Sequence, residues 1–120
     1  MANFDAWDVV KVPFPYTDRP IRQYRPGLVL AAGDPAAAHG LLWVLMITSA
    51  ENRRWPDDVV VSDIAAAGLP APSVVRSSKV ATIDARDAER IGVLPRADRA
   101  KVVRCVSRIL ASLCLPKRRP

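Results

Sequence analysis

The chain has little of what usually holds a metal or a covalent scaffold. It carries one histidine and two cysteines in 120 residues. With a single imidazole and no Cys-x-x-Cys pair, a zinc site is not expected. Cys105 and Cys114 fall in one helical pattern nine residues apart. That spacing sets them on opposite faces, about 13 Å apart along the axis, so they cannot bridge within that helix. A reduced, cytoplasmic protein is the expectation. No apolar run approaches the ~20 residues of a membrane span. The opening Met1-Ala2-Asn3-Phe4-Asp5 lacks the basic start and long apolar run of a signal peptide. A membrane protein, a secreted disulfide scaffold and a multidomain enzyme are therefore all unexpected.

What is present is a core and an excess of arginine. Half of the residues are apolar. A chain of this size buries roughly two-thirds of the surface its unfolded form exposes. Residues 1–116 read as one domain and 117–120 as a basic tail. The formal net charge is +6, and 14 of the 18 basic residues are arginine. Residues 1–60 carry net −1 and residues 61–120 net +7. The planar guanidinium fork matches phosphate in two-point contacts. Charge alone thus suggests a polyanion partner, nucleic acid first, or merely an Arg-rich soluble domain.

The pattern is strands first and one long helix last. Trp7 to Phe14 alternates as a strand, and Pro13 and Pro15 make it an edge near its end. Residues 15–23 read as a polar loop. Leu28 to Ala32 reads as a short buried strand, and Gly33-Asp34-Pro35 as a turn. Leu41 to Ile47 is seven apolar residues in a row, the mark of a strand covered on both faces. Asn52 to Asp58 is a second polar loop, and Val59 to Ser62 a strand. One helical turn over Asp63–Ala67 closes at Gly68. Ser73–Val80 and Thr82–Ile83 read as strand, and residues 86–92 as another helical turn ending at Gly92. From Asp98 to Leu115 an apolar stripe of Val102, Val103, Val106, Ile109, Leu110 and Leu113 recurs at helical spacing. Arg96, Arg99, Arg104 and Arg108 face away from it. This order predicts a mainly β fold with α, a small antiparallel barrel with a C-terminal helix, rather than a parallel α/β sheet.

Several stretches, in order, share the pattern of one family. They are Trp7-Asp8-Val9-Val10-Lys11-Val12-Pro13-Phe14-Pro15, Arg25-Pro26-Gly27-Leu28-Val29-Leu30 and Met46-Ile47-Thr48-Ser49-Ala50. Trp55-Pro56-Asp57-Asp58-Val59, Ala67-Gly68-Leu69-Pro70, Ser73-Val74-Val75-Arg76, Ala81-Thr82-Ile83-Asp84 and Ile91-Gly92-Val93-Leu94 continue the likeness. Together these stretches resemble the MazF/PemK toxins, and the resemblance implies an SH3-like barrel assembled as a homodimer. It implies metal-independent, sequence-selective cleavage of single-stranded RNA, without a cofactor. It also implies a cognate antitoxin as partner, in a type II toxin–antitoxin system. The gyrase poison CcdB shares that fold but ends in a functional Trp-Gly-Ile, whereas this chain ends Lys117-Arg118-Arg119-Pro120.

Cleaving RNA without metal requires three things. The 2′-hydroxyl must lose a proton, the phosphorane must be stabilised, and the leaving 5′-oxygen must gain a proton. Two histidines would suit this, but His39, between Ala38 and Gly40, reads as a turn residue. By its Arg-Pro motif, Arg25 matches the family's catalytic arginine. Pro26 biases its backbone to an extended form, and its permanent charge suits clamping the phosphorane. Read alone, it is a solvated strand-start arginine. Thr48 matches the threonine that works with that arginine, and its hydroxyl can donate to a phosphoryl oxygen. Read alone, it is a β-branched strand residue. Ser49, Arg76 and Glu51 are supporting candidates. A Kid-like branch of the family pairs an arginine with an aspartate two residues on; here Arg76 is followed by Ser78, which cannot replace a carboxylate base. Glu51 and Asp18 are substitutes for that base, or plain loop carboxylates. Arg53, Arg54 and Trp55 suit single-stranded RNA, with a base stacking while phosphates are held. Trp55 would equally serve as a cap on the barrel core. Tyr16, Arg22, Gln23 and Lys79 complete the expected RNA contacts. A non-catalytic SH3-like module binding RNA or protein is the alternative with the same composition.

Overall fold

The computed structural model describes residues 4–14, 23–31, 40–52 and 54–114. Strands β1 (Asp8–Phe14), β2 (Gln23–Ala31) and β3 (Leu41–Ser49) come first. Strands β4 (Asp58–Val60) and β5 (Ser73–Asp84), a 3₁₀ turn (Ala85–Asp87), β6 (Glu89–Val93) and helix α1 (Arg96–Cys114) follow. The six strands pair antiparallel in the order β4-β5-β3-β2-β1-β6. The fold is the expected mainly β one with a C-terminal helix.

Strand alternation divides the apolar residues between two faces. Val9, Leu28, Leu45, Ile47 and Val75 pack with Leu94 and Val102 beneath α1. Val10, Val12, Phe14, Val29, Val44 and Met46 pack together on the other face. Val9-Val10, Leu28-Val29 and Val44-Leu45 thus each feed both clusters, because successive side chains point to opposite sides of the sheet.

Two glycines draw the ends of the strand order together. Ala67 N–H donates to Asp63 O at 3.3 Å, Leu69 N–H to Ile64 O at 2.8 Å, and Gly68 N–H to Ala65 O at 3.1 Å. With Gly68 at φ +71°, this is a Schellman closure of one helical turn. The turn follows β4 and touches β6: Val93 N–H donates to Ala66 O at 3.1 Å. A Cβ on Gly92 would collide with the Ala67 backbone, and one on Gly68 with the Ile91 carbonyl. Gly92 is therefore not a helix stop, as its sequence context suggested. It lies inside β6, where only a bare backbone allows the approach.

Other boundaries also differ from expectation. Gln23 belongs to β2, which starts five residues before Leu28 and runs through Pro26. β6 pairs with β1 only over Asp8–Lys11, so the proline-bearing end of β1 is indeed an edge. Trp7 sits outside the strand at φ +77°, with its N–H on Val29 O and its carbonyl accepting from Leu94 N–H. β3 is not covered on both faces throughout: Leu41 and Trp43 are exposed. The helical stripe is wider than the face it packs, leaving Val103 and Leu110 in solvent. Arg99 and Arg108 do not simply face away. Arg99 Nε donates to Leu94 O at 3.0 Å, and Arg108 Nη2 pairs with Asp57 Oδ1 at 2.9 Å. The turn at residues 33–35 and His39 lie outside the described residues.

The helix is also tied to the end of β4. Asp98, in its first turn, accepts from both the N–H and the hydroxyl of Ser62, at 2.9 and 3.0 Å. Among the described residues no helix is long and apolar enough to cross a membrane.

Candidate functional site

The register of three strands decides which polar side chains share a surface. Asp58, Arg76, Met46, Gly27 and Val10 form one cross-strand row from β4 to β1. Val60, Val74 and Thr48 form the next row on the same face. Arg25 stands opposite Val12 of β1. The β2–β3 pairing ends at Gly27–Met46, and Arg25 and Thr48, each two residues beyond that pair, share its face by strand alternation. Opposed residues lie on one face with Cα atoms about 5 Å apart. Arg76 is a diagonal neighbour of Thr48, about 7–8 Å away. One end of this face therefore carries Arg25, Thr48, Arg76 and Asp58 together.

Thr48 is buried, and its Oγ1 accepts from Asn52 Nδ2 at 2.6 Å. That bond occupies the oxygen and directs the hydroxyl proton away from Asn52, towards an acceptor. Asn52 reaches back because residues 49–52 form a turn, with Asn52 N–H on Ser49 O at 3.1 Å. Sequence reading missed Asn52; its spacing of four from Thr48 across a turn was the available signal. Ser49 alternates to the opposite face, and its Oγ accepts from Glu51 N–H at 3.2 Å, fixing the turn. Glu51 is exposed on that turn. Arg25 is half-buried and donates from Nη2 to Gln23 Oε1 at 3.4 Å.

Arg76 belongs to a stacked group. Its Nε and Nη2 donate to Asp58 Oδ1 and Oδ2 at 3.1 and 3.0 Å, a bidentate pair whose side chains are 9% and 1% exposed. The guanidinium carbon lies 4.1 Å from the centroid of the Trp55 ring. Trp55 N–H donates to Asp58 Oδ2 at 2.9 Å, and Asp58 N–H to Trp55 O at 3.1 Å. Pro56 sits at the second position of this turn, where its fixed φ fits. Burial pushes the Asp58 carboxyl up. Arg76, the Trp55 N–H and the charge of Arg54 outweigh burial, so the group lies below the ordinary carboxylate value. Trp55, 39% exposed, stands over Arg76 rather than capping the barrel core. Asp58 was the second residue that sequence reading missed.

Arg54 is exposed beside this group. Ser78 and Lys79 are exposed in a bulge of β5, where Leu45 pairs with Val80 but Met46 pairs with Arg76. Tyr16, Asp18, Arg22 and Arg53 lie outside the described residues. Among the described residues no three His, Cys, Asp or Glu side chains gather as a metal site would require. A separate apolar groove of about 320 Å³ opens between α1 and the sheet, lined by Trp43, Leu45, Val80, Ile109 and Leu110 among others.

The comparisons agree with this architecture. A family model described as PemK-like, MazF-like toxin of type II toxin-antitoxin system matches residues 5–110. A crystal structure of MazF from Deinococcus radiodurans superposes with a TM-score of 0.74 at 24% identity, covering 92% of this chain and 99% of that one. A MazE–MazF structure from the same organism gives 0.70 at 25% identity, covering 92% and 97%. An endoribonuclease in complex with its cognate antitoxin, from a mycobacterial species, gives 0.66 at 17% identity, covering 95% and 98%. A comparison with curated proteins finds no match. The chain belongs to the PemK-like, MazF-like toxins of type II toxin–antitoxin systems.

Proposed function

We propose that the protein is a metal-independent, sequence-selective endoribonuclease acting on single-stranded RNA, and that Arg25 and Thr48 carry the chemistry. The observation that supports this most is their alignment on one face of the β2–β3 pair. In the reaction the 2′-oxygen attacks phosphorus and the bond to the 5′-oxygen breaks. The products are a 2′,3′-cyclic phosphate and a 5′-hydroxyl. The Arg25 guanidinium balances the negative charge that grows on the phosphorane. The Thr48 hydroxyl, its oxygen held by Asn52, donates to a phosphoryl oxygen. Glu51 is the carboxylate nearest in sequence to Thr48 and takes the 2′-proton in this scheme, and solvent water gives the departing 5′-oxygen its proton. Gln23 orients Arg25, and Arg54 and Lys79 hold flanking phosphates. Ser49 supports through its turn rather than by contact, because it faces the other side of the sheet.

An antitoxin is the second partner in this reading, supported by the cognate antitoxin in the mycobacterial complex. The protein also pairs with itself. Trp43 and Leu110, 54% and 52% exposed, border the apolar groove that a second copy would cover. A Leu110→Arg variant is expected to run as a monomer in sedimentation; an unchanged dimer would place the contact elsewhere.

Wild-type protein, Arg25→Ala and Thr48→Ala, each incubated with an unstructured RNA in EDTA, test the central reading. Cleavage by the wild type and loss of about a hundredfold or more in each variant is expected. Variants that cleave at the wild-type rate would overturn the site. An intact RNA with the wild type would favour a binding module, and cleavage only on adding metal would contradict the mechanism.

A further inference from the structure

Arg76 has the charge to be a phosphate ligand, yet its surroundings suit another task. The guanidinium is buried, and its Nε and Nη2 are directed at Asp58 in a two-point contact. Its guanidinium carbon lies against the Trp55 ring, 4.1 Å from the centroid. The same Asp58 carboxylate accepts the Trp55 backbone N–H, so one side chain fixes both the backbone and the underside of the ring. What reaches solvent is the indole, with a near-neutral ion pair beneath it. This group stands one diagonal step from Thr48 on the same face. That is the reach from a phosphate held at Thr48 to a base next to it.

We infer that Asp58 and Arg76 are positioning residues that hold Trp55 as the stacking platform for a base flanking the scissile phosphate. The inference rests on the RNA-cleaving reading above and deepens it. Because Asp58 balances Arg76, the platform contributes through stacking and not through counterion release. Stacking accepts any base, so the platform adds affinity while sequence choice comes from other contacts.

The test is binding of a short 2′-O-methyl oligoribonucleotide of randomised sequence, which cannot react, across a range of salt concentrations. Trp55→Ala is expected to weaken binding by about ten- to a hundredfold, and Trp55→Phe to restore most of it. The slope of log Kd against log salt stays unchanged, whereas loss of a phosphate contact lowers it by about 0.7. Asp58→Asn weakens binding several-fold alone and adds nothing in the Trp55→Ala background. An equal Asp58→Asn loss in both backgrounds would overturn the positioning role. So would a fall in salt slope for Trp55→Ala, or no loss of affinity at all. Trp55 is half-exposed, so its variants test the inference even if Asp58→Asn fails to fold. Firm wild-type binding that every variant keeps sinks the platform alone. Absence of wild-type binding sinks the platform and the RNA reading together.

Discussion

Replacing Asp98 by alanine is expected to cost about 2–4 kcal/mol of stability and to disturb the site from a distance. Asp98 is 1% exposed and stands in the first turn of α1. Its Oδ2 alone receives the Ser62 N–H and hydroxyl, at 2.9 and 3.0 Å. Ser62 lies two residues beyond β4, the strand that carries Asp58. A hydrogen bond to an ionised group contributes about 1.5–3 kcal/mol. Two bonds sharing one oxygen contribute less than twice that, and water reaches the exposed Ser62 once the carboxylate is gone. The negative charge near the helix N-terminus adds about 0.3–1 kcal/mol. For a chain of this length a loss of that size lowers the melting midpoint by roughly 10 °C. Asp98→Asn keeps the volume and one acceptor oxygen, so it should lose about 1 kcal/mol. Urea unfolding at one fixed protein concentration reads both variants, with the slope m showing whether the unfolded state has changed. A loss below about 0.5 kcal/mol for the alanine variant would refute the anchoring argument, since a buried charge-assisted contact should exceed that. Equal losses for alanine and asparagine would refute the part assigned to charge.

Asn52→Ala should leave KM unchanged and slow cleavage about five- to tenfold, the worth of one hydrogen bond that fixes Thr48; a change in KM alone would contradict it. Gly92→Ala should cost about 2–3 kcal/mol in urea, because its Cβ meets the Ala67 backbone; an unchanged midpoint would mean the two segments separate freely. The depressed Asp58 carboxyl contributes stability that is complete above its unfolded value and is lost as pH falls through the folded one. Acid unfolding from about pH 4 downward should therefore steepen because of Asp58, and Asp58→Asn should flatten that limb.

The strands and the helix were legible because apolar alternation and a helical stripe are local signals. The start of β2 was less so: its apolar run begins only at Leu28, whereas cross-strand pairing with Val10, Lys11 and Val12 carries the strand back through Gly27, Pro26 and Arg25. Gly92 misled for a related reason: its local meaning is a helix stop, and its actual partner is the backbone of Ala67, far away in the chain. Arg25 and Thr48 were picked out by family motifs, yet their alignment appears only once β2 and β3 are in register. Asn52 offered only its spacing of four from Thr48, and Asp58 offered none, because each acts through a turn whose closure no periodicity reports. The charge excess pointed to a nucleic acid but not to the site. Arg25, Thr48 and Arg54 belong to the half with net −1.

The most direct measurement is the chemistry of the ends left on an RNA incubated with pure protein in EDTA. The account predicts discrete cuts at a short motif, each leaving a 2′,3′-cyclic phosphate and a 5′-hydroxyl. Ends carrying a 3′-hydroxyl and a 5′-phosphate, or no cuts until metal is added, would contradict it.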